Sequence, residues 1–171
     1  MTLGLAFPLV RLQAHTPDWA IAYAEERSRI LAALAEDILG IEHVGSTAIP
    51  GVSAKPIIDI AIGVRSLATA DGFTPAMAGL GYDYAGDGGV PGERIYGRGP
   101  RIRTHLVHAV VADSQEWRNY IGFRDALLAD AALADEYDLL KIDLAEKFPN
   151  DRPSYTRGKG QFIEKVIRGA T

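Results

Sequence analysis

The chain has 171 residues and a formal net charge of −4, with 47% hydrophobic and 23% charged residues. This length and composition predict one globular domain over residues 1–171, large enough to build a hydrophobic core without a disulfide or a metal. The absence of cysteine excludes thiolate metal sites and a cysteine nucleophile, and the acidic balance argues against a large nucleic acid as a partner.

The N-terminal segment has no charged region followed by an apolar region, which is the pattern of a secretory signal peptide. No apolar run approaches the roughly 18 residues that a membrane-spanning helix needs. We therefore expect a cytoplasmic protein with no membrane partner. The oligomeric state is left open.

The N-terminal elements are predicted as an edge strand followed by a helix. Residues 7–13 form the strand, and Thr16 followed by Pro17 and Asp18 is a helix start signal. The helix is predicted to run to about Gly40. Apolar residues at helical spacing should pack it on a sheet, and we interpret them as core residues: Trp19, Tyr23, Ile30, Leu34 and Ile38.

Two short strands flank a Gly-Ser turn. Residues 41–44 are predicted as a strand that enters the turn at residues 45–47, where glycine lets the backbone approach a phosphate that amides and hydroxyls can bind. Residues 56–64 are apolar and β-branched, which indicates a strand buried on both faces. Asp59 is the exception, because an ionised carboxylate there would be costly without a cation or another partner.

The middle of the chain is predicted to alternate between helix and strand. Residues 66–80 form a helix that Pro75 begins, kinks or divides, and residues 81–85 form a third strand. Residues 86–101 are rich in glycine and are predicted as a long mobile loop or an irregular hairpin. Residues 102–111 should form a strand that pairs near the aspartate-bearing strand.

The C-terminal part is predicted to be helical. Helices are expected over residues 117–129, 135–148 and 153–168, and Gly158 and Gly160 weaken the first turns of the last one.

The glycine-rich segment at residues 86–101 carries four charged residues: Glu93, Arg94, Arg98 and Arg101. These residues either lie beside the site or are simply solvated, and both interpretations stay open.

The segments EHVGSTAIPG and AKPIIDI resemble the GrpB (UPF0157) family. Similar residues occur through nearly the whole chain: Leu12, Trp19, His105, His108, Arg124, Asp125, Tyr137, Lys141 and residues 155–162. The resemblance implies a nucleotidyltransferase-like superfold. That is an α+β fold, α/β-like in character, with a mixed β-sheet flanked by helices and C-terminal helices closing over the cleft.

The superfold usually follows its Gly-Ser turn with two aspartates two residues apart and a third carboxylate on a later strand. Asp59 matches the first of these, so the resemblance implies a catalytic residue and metal ligand, with Mg²⁺ or Mn²⁺ as the ion and Zn²⁺ as a further option. Residue 61 lies on the same face of the strand, but it is Ala61, which cannot bind a metal.

Two histidines lie on the later strand. The spacing of His105 and His108 puts them on opposite faces of a regular strand, and we favour His108 as the one that faces Asp59, as a metal ligand or a general base. Glu42, His43 and His105 are further candidate ligands. A hydrogen-bonding role for His43 and a structural role for His105 are the alternatives.

Phosphate and nucleotide contacts are expected from the turn and from lysines around it. The predicted binding residues are Gly45, Ser46, Thr47, Lys55, Tyr137, Lys141, Tyr155 and Lys159. For each lysine a solvated surface role is the alternative. Arg124 and Asp125 are predicted to form a structural ion pair.

Three hypotheses about function follow. The first is a nucleotide-dependent transferase that moves a nucleotidyl group from an NTP to a small acceptor. The second is a nucleotide or phosphoester-binding module without catalysis, which Ala61 favours and which fits the occurrence of GrpB-like domains fused to dephospho-CoA kinases. The third is a scaffold adapted to a different reaction that depends on a metal or on His108.

Overall fold

A mixed β-sheet forms the centre of the computed structural model, which describes residues 3–169. The strands are β1 (Leu5–Ala6), β2 (Ile38–Val44), β3 (Ile58–Val64), β4 (Tyr82–Gly86), β5 (Glu93–Arg98), β6 (Ile102–Arg103) and β7 (His105–Val111). Five of them form one sheet in the order β2-β3-β7-β5-β4, and β1 pairs with β6. In the sheet, β3 and β7 are parallel and the other pairs are antiparallel.

Helices cover both faces of the sheet. They are α1 (Asp18–Leu34), α2 (Leu67–Asp71), α3 (Thr74–Gly79), α4 (Gln115–Ala129), α5 (Ala131–Lys147), α6 (Arg152–Gly158) and α7 (Gly160–Gly169). The first three pack in the main core on one face, and α4 lies on the other with α5 and α7 beside it. The α+β class and the flanking helices agree with the sequence prediction. Over residues 3–169, no helix is both long and apolar enough to cross a membrane.

Alternation along β3 assigns its side chains to the two faces. Ile58, Ile60 and Ile62 lie in the main core with α1, α2 and α3. Asp59 and Ala61 point to the face on which α4 packs, and they align with Leu106 and His108 on β7. β3 lies inside the sheet and helices cover both of its faces, so its apolar side chains are buried as the sequence predicts.

The prediction of a strand over residues 7–13 was wrong. The N–H of Val10 donates to the carbonyl of Pro149 at 2.9 Å, whereas the N–H of Gln13 donates to the carbonyl of Ala54 at 2.8 Å. Ala54 donates back to the carbonyl of Gln13 at 2.9 Å, so the segment makes isolated backbone contacts with two distant parts of the chain and has no continuous partner strand.

The strand after α1 begins earlier than the sequence predicts. The helix was expected to reach Gly40, but α1 ends at Leu34, one 3₁₀ turn covers Ala35–Asp37, and β2 begins at Ile38. Ile38 fits the helical spacing, yet it pairs with Val64 of β3. Pairing between strands overrides the local periodicity here.

Of the two interpretations of residues 86–101, the loop was wrong for residues 93–98, whereas the irregular hairpin agrees better with the antiparallel pairing of β5 with β4 across a register shift at Gly86. These residues form β5, which is hydrogen-bonded to β4 on one side and to β7 on the other. Gly97 has a low strand propensity, but partners on both edges compensate for it. Glycine content therefore concealed a central strand.

Two of the predicted helices are each divided into two shorter helices in the structure. Residues 66–80 form α2 and α3, with Ser66 capping the first and Pro75 in the first turn of the second. Residues 153–168 fall within α6 and α7, which separate at Lys159. The separation at Lys159 matters because it directs this residue toward the end of the sheet.

The two long C-terminal helices begin earlier than predicted because each has a polar cap. The hydroxyl of Ser114 accepts from the N–H of Trp117 at 3.2 Å at the start of α4. The carboxylate of Asp130 accepts from the N–H of Leu133 at 3.1 Å at the start of α5. These bonds satisfy N–H groups that the first helical turn leaves unpaired.

Trp117 fits against two glycines on the sheet. An ideal Cβ on Gly40 would lie 2.9 Å from Cη2 of Trp117, and one on Gly63 would lie 3.2 Å from its Cζ3. The absence of these methyl groups lets α4 approach the sheet closely. Further along the same helix, Tyr120 reaches β7 and Arg124 reaches β2.

We predict that Gly40→Ala lowers the free energy of unfolding by about 1–3 kcal/mol, because Trp117 must move away from the sheet. Urea unfolding measures the change. Gly122→Ala is the matched control, since Gly122 lies in α4 with nothing within 4 Å of an ideal Cβ. It should gain about 0.5–1 kcal/mol from better helix propensity. Wild-type stability of Gly40→Ala would contradict the close packing.

Candidate functional site

A small cavity lies at the end of the sheet where β2 ends and β3 and β7 begin. Its volume is about 70 Å³, which is room for about five water-sized groups. The walls come from the turn after β2, the segment leading into β3, and the junction of α6 and α7. The lining residues are Ser46, Thr47, Ala54, Lys55, Ile57, Asp59, Leu106, Tyr155 and Lys159.

The Gly-Ser turn borders the cavity in a conformation that only glycine adopts readily. Gly45 has φ 69° and ψ −174°, and the 3₁₀ turn Ser46–Ala48 follows it. An ideal Cβ on Gly45 would lie 2.6 Å from Oδ2 of Asp59. The glycine is therefore required both for its backbone angles and for the room that it leaves to the carboxylate.

His43 supports this turn from the face of the sheet that α1 covers. Its Nε2 lies 2.9 Å from Oγ1 of Thr47, and its ring stacks on Tyr23 with 4.7 Å between centroids. Burial lowers the pKa of His43 to about 4, although Asp59 acts in the opposite direction. A neutral His43 thus orients the hydroxyl of Thr47, which is buried and lines the cavity.

Lys55 and Lys159 converge on one aromatic ring. Their Nζ atoms lie 5.3 and 4.8 Å from the centroid of Tyr155, which is buried. Neither ammonium has an ion-pair partner within residues 3–169. Burial and then repulsion from Lys159 lower the pKa of Lys55 to about 7, although Asp59 partly offsets them. Two close cations without a bonded anion favour an anionic ligand.

Behind the cavity, Asp59 joins a cluster of polar side chains. Nε2 of His108 lies 3.4 Å from Oδ1 of Asp59, and Nδ1 of His108 contacts Oε1 of Glu93. The hydroxyl of Tyr120 donates to the same Oε1 at 2.7 Å and lies 3.0 Å from Nδ1. The side chain of Asp59 is 31% exposed and that of Glu93 is 5% exposed, and of these four residues only Asp59 lines the cavity.

The charges of this cluster follow from its contacts. Burial lowers the pKa of His108, but its hydrogen bonds to Asp59 and Glu93, together with their charges, outweigh burial and raise it to about 9. Burial raises the pKa of Asp59, but His108 and then Lys55 and Lys159 outweigh burial and hold it below its usual value. At neutral pH an imidazolium therefore faces an ionised Asp59.

His105 lies away from the cavity. It is 4% exposed on the face of the sheet opposite to His108, and its Nδ1 lies 3.0 Å from Oγ1 of Thr104. Burial lowers the pKa of His105 to about 4, although Glu26 acts in the opposite direction. A neutral, buried ring in this position is not brought together with the cavity residues.

Glu42 also lies outside the cavity, because Arg124 binds it. Arg124 donates to Oε2 of Glu42 at 2.7 Å and to the carbonyl of His43 at 3.1 Å. The predicted ion pair between Arg124 and Asp125 is present at 2.8 Å. The bonds from Arg124 to Glu42 and to the carbonyl of His43 attach α4 to β2.

Lys141 and Tyr137 of α5 do not reach the cavity. Lys141 is fully buried, donates to the carbonyl of Ser53 and lies 3.4 Å from Oδ1 of Asp138. Its Nζ is 5.0 Å from the ring centroid of Tyr137, which packs in an apolar cluster with α4 and α7. The carboxylate of Asp138 also accepts from the N–H of Ser53 at 2.8 Å. These contacts fix the segment at Ser53, which leads to Lys55 just before β3.

Binding of a divalent metal stays a prediction, and the side chains present do not form a complete ligand set. In the described range, 3–169, no group of three or more His, Asp or Glu side chains is placed to hold an ion. Asp59 would be the one carboxylate ligand from β3, because residue 61, which aligns with His108, is a fully buried alanine. Ligation by His108 would require a ring nitrogen to release its proton, since a ligand needs a free lone pair on the imidazole.

Glu93 and Tyr120 belong to the cluster; the sequence named Glu93 only among the charged residues that could lie beside the site, and it did not identify Tyr120. Glu93 lies in the glycine-rich segment that was predicted as a loop or an irregular hairpin, and Tyr120 lies one helical turn after Trp117 without a motif around it. Ile95 and Tyr96, residue types that strands favour, are the local signal that could have indicated a strand.

The fold and the cavity are those of an α+β protein with a site at the end of a mixed sheet. The family model described as GrpB protein matches residues 9–168. The chain belongs to the GrpB family.

Relatives of known sequence and structure agree with this membership. The chain is 35% identical to the glutamate-rich protein GrpB of Alkalihalophilus pseudofirmus over 96% of this chain and 98% of that protein. It is 27% identical to a dephospho-CoA kinase of Mycolicibacterium paratuberculosis, over 99% of this chain but 48% of the kinase. The crystal structure of GrpB from Enterococcus faecalis has a TM-score of 0.86 and 34% identity, covering 94% of this chain and 96% of that one.

The chain spans about half of some other relatives. The UPF0157 protein YqkA of Bacillus subtilis is 36% identical over 94% of this chain, but the match covers 47% of that protein. The GrpB unit therefore occurs both by itself and as part of longer chains.

We predict that His108 contributes to stability in a pH-dependent way. Its pKa is about 9 in the folded protein and about 6.5 in the unfolded chain, so its contribution is complete below pH 6.5 and is lost as the pH rises through 9. The stability of wild type relative to His108→Gln should fall over this interval, by at most about 1.4 kcal/mol per pH unit. Urea unfolding between pH 6 and 9.5 measures the difference.

His15→Gln is the control for that comparison, because it removes a histidine outside the cluster. The difference between wild type and His15→Gln should change less over the same interval than the difference between wild type and His108→Gln. A constant difference between wild type and His108→Gln would show that His108 does not hold its proton in this way.

We predict that Gly45→Ala impairs the turn more than Gly51→Ala does. Both glycines have positive φ, 69° and 84°, but an ideal Cβ on Gly51 meets nothing within 4 Å whereas one on Gly45 meets Asp59. Both variants should lose about 1–3 kcal/mol of stability from backbone strain. Only Gly45→Ala should also weaken the binding of inorganic pyrophosphate, measured by calorimetry. Equal binding by the two variants would argue against the phosphate-binding turn.

Proposed function

We propose that the chain binds the phosphate groups of a nucleoside triphosphate and transfers the nucleotidyl group to a small acceptor. One observation carries the proposal: Ser46 and Thr47 of the turn, two lysines without an ion-pair partner within residues 3–169, and an aspartate line the same cavity. The turn, Lys55 and Asp59 come from the β2–β3 region, whereas Lys159 comes from the distant junction of α6 and α7. Their convergence matches what transfer of a phosphoryl-linked group requires, namely positioned phosphates and a group that receives a proton.

The lysines supply the positive charge for the phosphates. Lys55 and Lys159 lie near each other above Tyr155, and an anion between them would relieve their repulsion. The bound anion would also favour the charged form of Lys55 and return its pKa toward the usual value. The N–H groups and hydroxyls of Ser46 and Thr47 would bind the remaining phosphate oxygens.

Asp59 is the group that would orient the acceptor. In the proposed step an acceptor hydroxyl oxygen forms a bond to the α-phosphorus, the bond from this phosphorus to the bridging oxygen breaks, and pyrophosphate leaves. The proton of the hydroxyl passes to the carboxylate of Asp59, which is ionised at neutral pH. A divalent metal that arrives with the triphosphate would add charge neutralisation, and no step assigned to these residues requires one.

The size of the cavity supports contact with phosphate rather than enclosure of a whole nucleotide. A volume of about 70 Å³ is far below the roughly 300 Å³ of a typical ligand pocket. The nucleoside and the acceptor would therefore lie at the mouth of the cavity. A relative named dephospho-CoA kinase is compatible with the proposal, because a kinase by its name handles phosphate groups.

A second candidate function is a binding module for phosphoesters that has no catalysis. The observation that favours it is Ala61, which is fully buried where a second carboxylate would be expected. The module would use the same turn and the same lysines. Only the fate of the bound phosphate distinguishes the two functions.

We predict that Lys159→Ala weakens pyrophosphate binding about 10- to 100-fold, the loss expected for one charge-assisted hydrogen bond. The double variant Lys55→Ala/Lys159→Ala should lose binding further. Calorimetry with inorganic pyrophosphate and with each of the four common NTPs, with and without Mg²⁺, measures these constants. Lys165→Ala is the matched control, because Lys165 is exposed on α7 and does not line the cavity.

Release of pyrophosphate from each NTP then distinguishes the two functions. Release by wild type that disappears in Asp59→Asn, with binding retained, would support transfer. Binding without release would favour the module. Binding to Lys159→Ala that equals wild type would refute both functions at this cavity.

A further inference from the structure

The segment that carries Lys55 is irregular and is held by contacts from distant parts of the chain. Residues 49–57 connect the 3₁₀ turn after β2 with the start of β3. The N–H and the carbonyl of Ala54 bond to the backbone of Gln13 at 2.9 and 2.8 Å. The conformation of the backbone at Lys55 therefore depends on partners that lie outside the segment.

Helix α5 bonds every polar group of one residue in this segment, Ser53. Oδ1 of Asp138 accepts from the N–H of Ser53 at 2.8 Å, and Oδ2 accepts from its hydroxyl at 3.1 Å. The ammonium of Lys141 donates to the carbonyl oxygen of Ser53. Two side chains that lie three residues apart on one side of the helix thus fix both the position and the orientation of Ser53.

This arrangement uses a buried ion pair where apolar side chains could have been used. Lys141 is fully buried, and its Nζ lies 3.4 Å from Oδ1 of Asp138. Apolar side chains of similar volume often give at least as much stability as a buried ion pair, because ions lose their hydration on burial. An apolar pair, however, could not bond the three polar groups of Ser53. The ion pair therefore supplies direction to the segment in addition to packing.

The consequence of a fixed Ser53 is felt two residues later, at Lys55. The Nζ atoms of Lys55 and Lys159 lie 5.3 and 4.8 Å from the centroid of Tyr155, and the two ammonium groups come from different parts of the chain. Like charges repel, so a lysine on a loosely held segment would move away from the second cation. Holding both over one ring requires firm support on each side.

We propose that Asp138 and Lys141 are positioning residues that act through Ser53 on Lys55, and that they hold the ammonium of Lys55 beside that of Lys159 before an anion binds. Neither Asp138 nor Lys141 lines the cavity, so their effect on a ligand passes through the segment. A binding group that is already in place costs less free energy to order when the ligand arrives. The effect on phosphate binding rests on the proposed function, whereas the placement of Lys55 does not.

The first experiment is a double-mutant cycle with inorganic pyrophosphate, measured by calorimetry. Asp138→Ala/Lys141→Met removes all three bonds to Ser53, leaves no buried charge unpaired and keeps the net charge of the pair at zero. It should weaken binding about 3- to 10-fold. In a Lys55→Ala background the same change should alter binding by less than about twofold, because the group that is positioned is then absent.

Two variants control for a general loss of structure. Asp143→Asn breaks an exposed ion pair with Lys147 on the same helix and should leave pyrophosphate binding at its wild-type value. Gly40→Ala lowers stability at a distant contact and should also leave binding unchanged. If Asp138→Ala/Lys141→Met does not fold, Asp138→Asn/Lys141→Met replaces it, since the amide keeps one acceptor for Ser53. An equal loss of binding in the wild-type and Lys55→Ala backgrounds would overturn the proposal.

The second experiment observes Lys55 directly and needs no ligand. The ring current of Tyr155 should displace the NMR signals of the CH₂ group next to Nζ of Lys55 in ¹³C-labelled protein, and Lys55→Arg identifies these signals. In Asp138→Ala/Lys141→Met they should move toward the values of exposed lysines, and those of Lys159 should move less. Unchanged Lys55 signals would overturn the positioning role. If wild type does not bind pyrophosphate, the proposed function fails, while these signals still decide whether α5 positions Lys55.

Discussion

The carboxylate of Asp59 is the group to which the other parts of the site are adjusted. It interrupts a strand that is otherwise apolar and is paired on both edges, where an isolated charge would be unfavourable. The protein stabilises it with the protonated ring of His108 on one side and leaves room for it at Gly45 on the other. Strand order makes this possible, because β3 lies between the strand that ends at the turn and the strand that carries the histidine.

The cavity in front of Asp59 is assembled from segments that lie far apart in the chain. The turn and Lys55 come from the connection between β2 and β3, whereas Tyr155 and Lys159 come from the break between α6 and α7. Contacts that do not line the cavity hold these segments together: Lys141 and Asp138 bind the loop at Ser53. The buried Lys141 thus has a structural role, whereas the half-buried Lys55 and Lys159 carry the charge available to a ligand.

Local signals predicted much of the fold, and they failed where pairing between strands decides the conformation. The apolar run of residues 56–64 and the helix start at Thr16 are local, so β3 and the start of α1 followed from them. Residues 93–98 contain a glycine and charged side chains, yet they form a central strand because β4 and β7 supply hydrogen bonds on both edges. Ile38 left its helical pattern for the same reason.

The sequence by itself determined that Gly45, Ser46 and Asp59 belong to one site, because close spacing along the chain and strand alternation limit where these residues can lie. It also indicated that His105 and His108 point to opposite faces. Only the tertiary structure decided that His108 has carboxylates at both nitrogens, that Glu93 belongs to the same cluster, and that Lys141 is buried while Lys159 reaches the cavity. The physical reason is that burial and charge pairing depend on which distant segments pack together, and residue spacing carries no information about that packing.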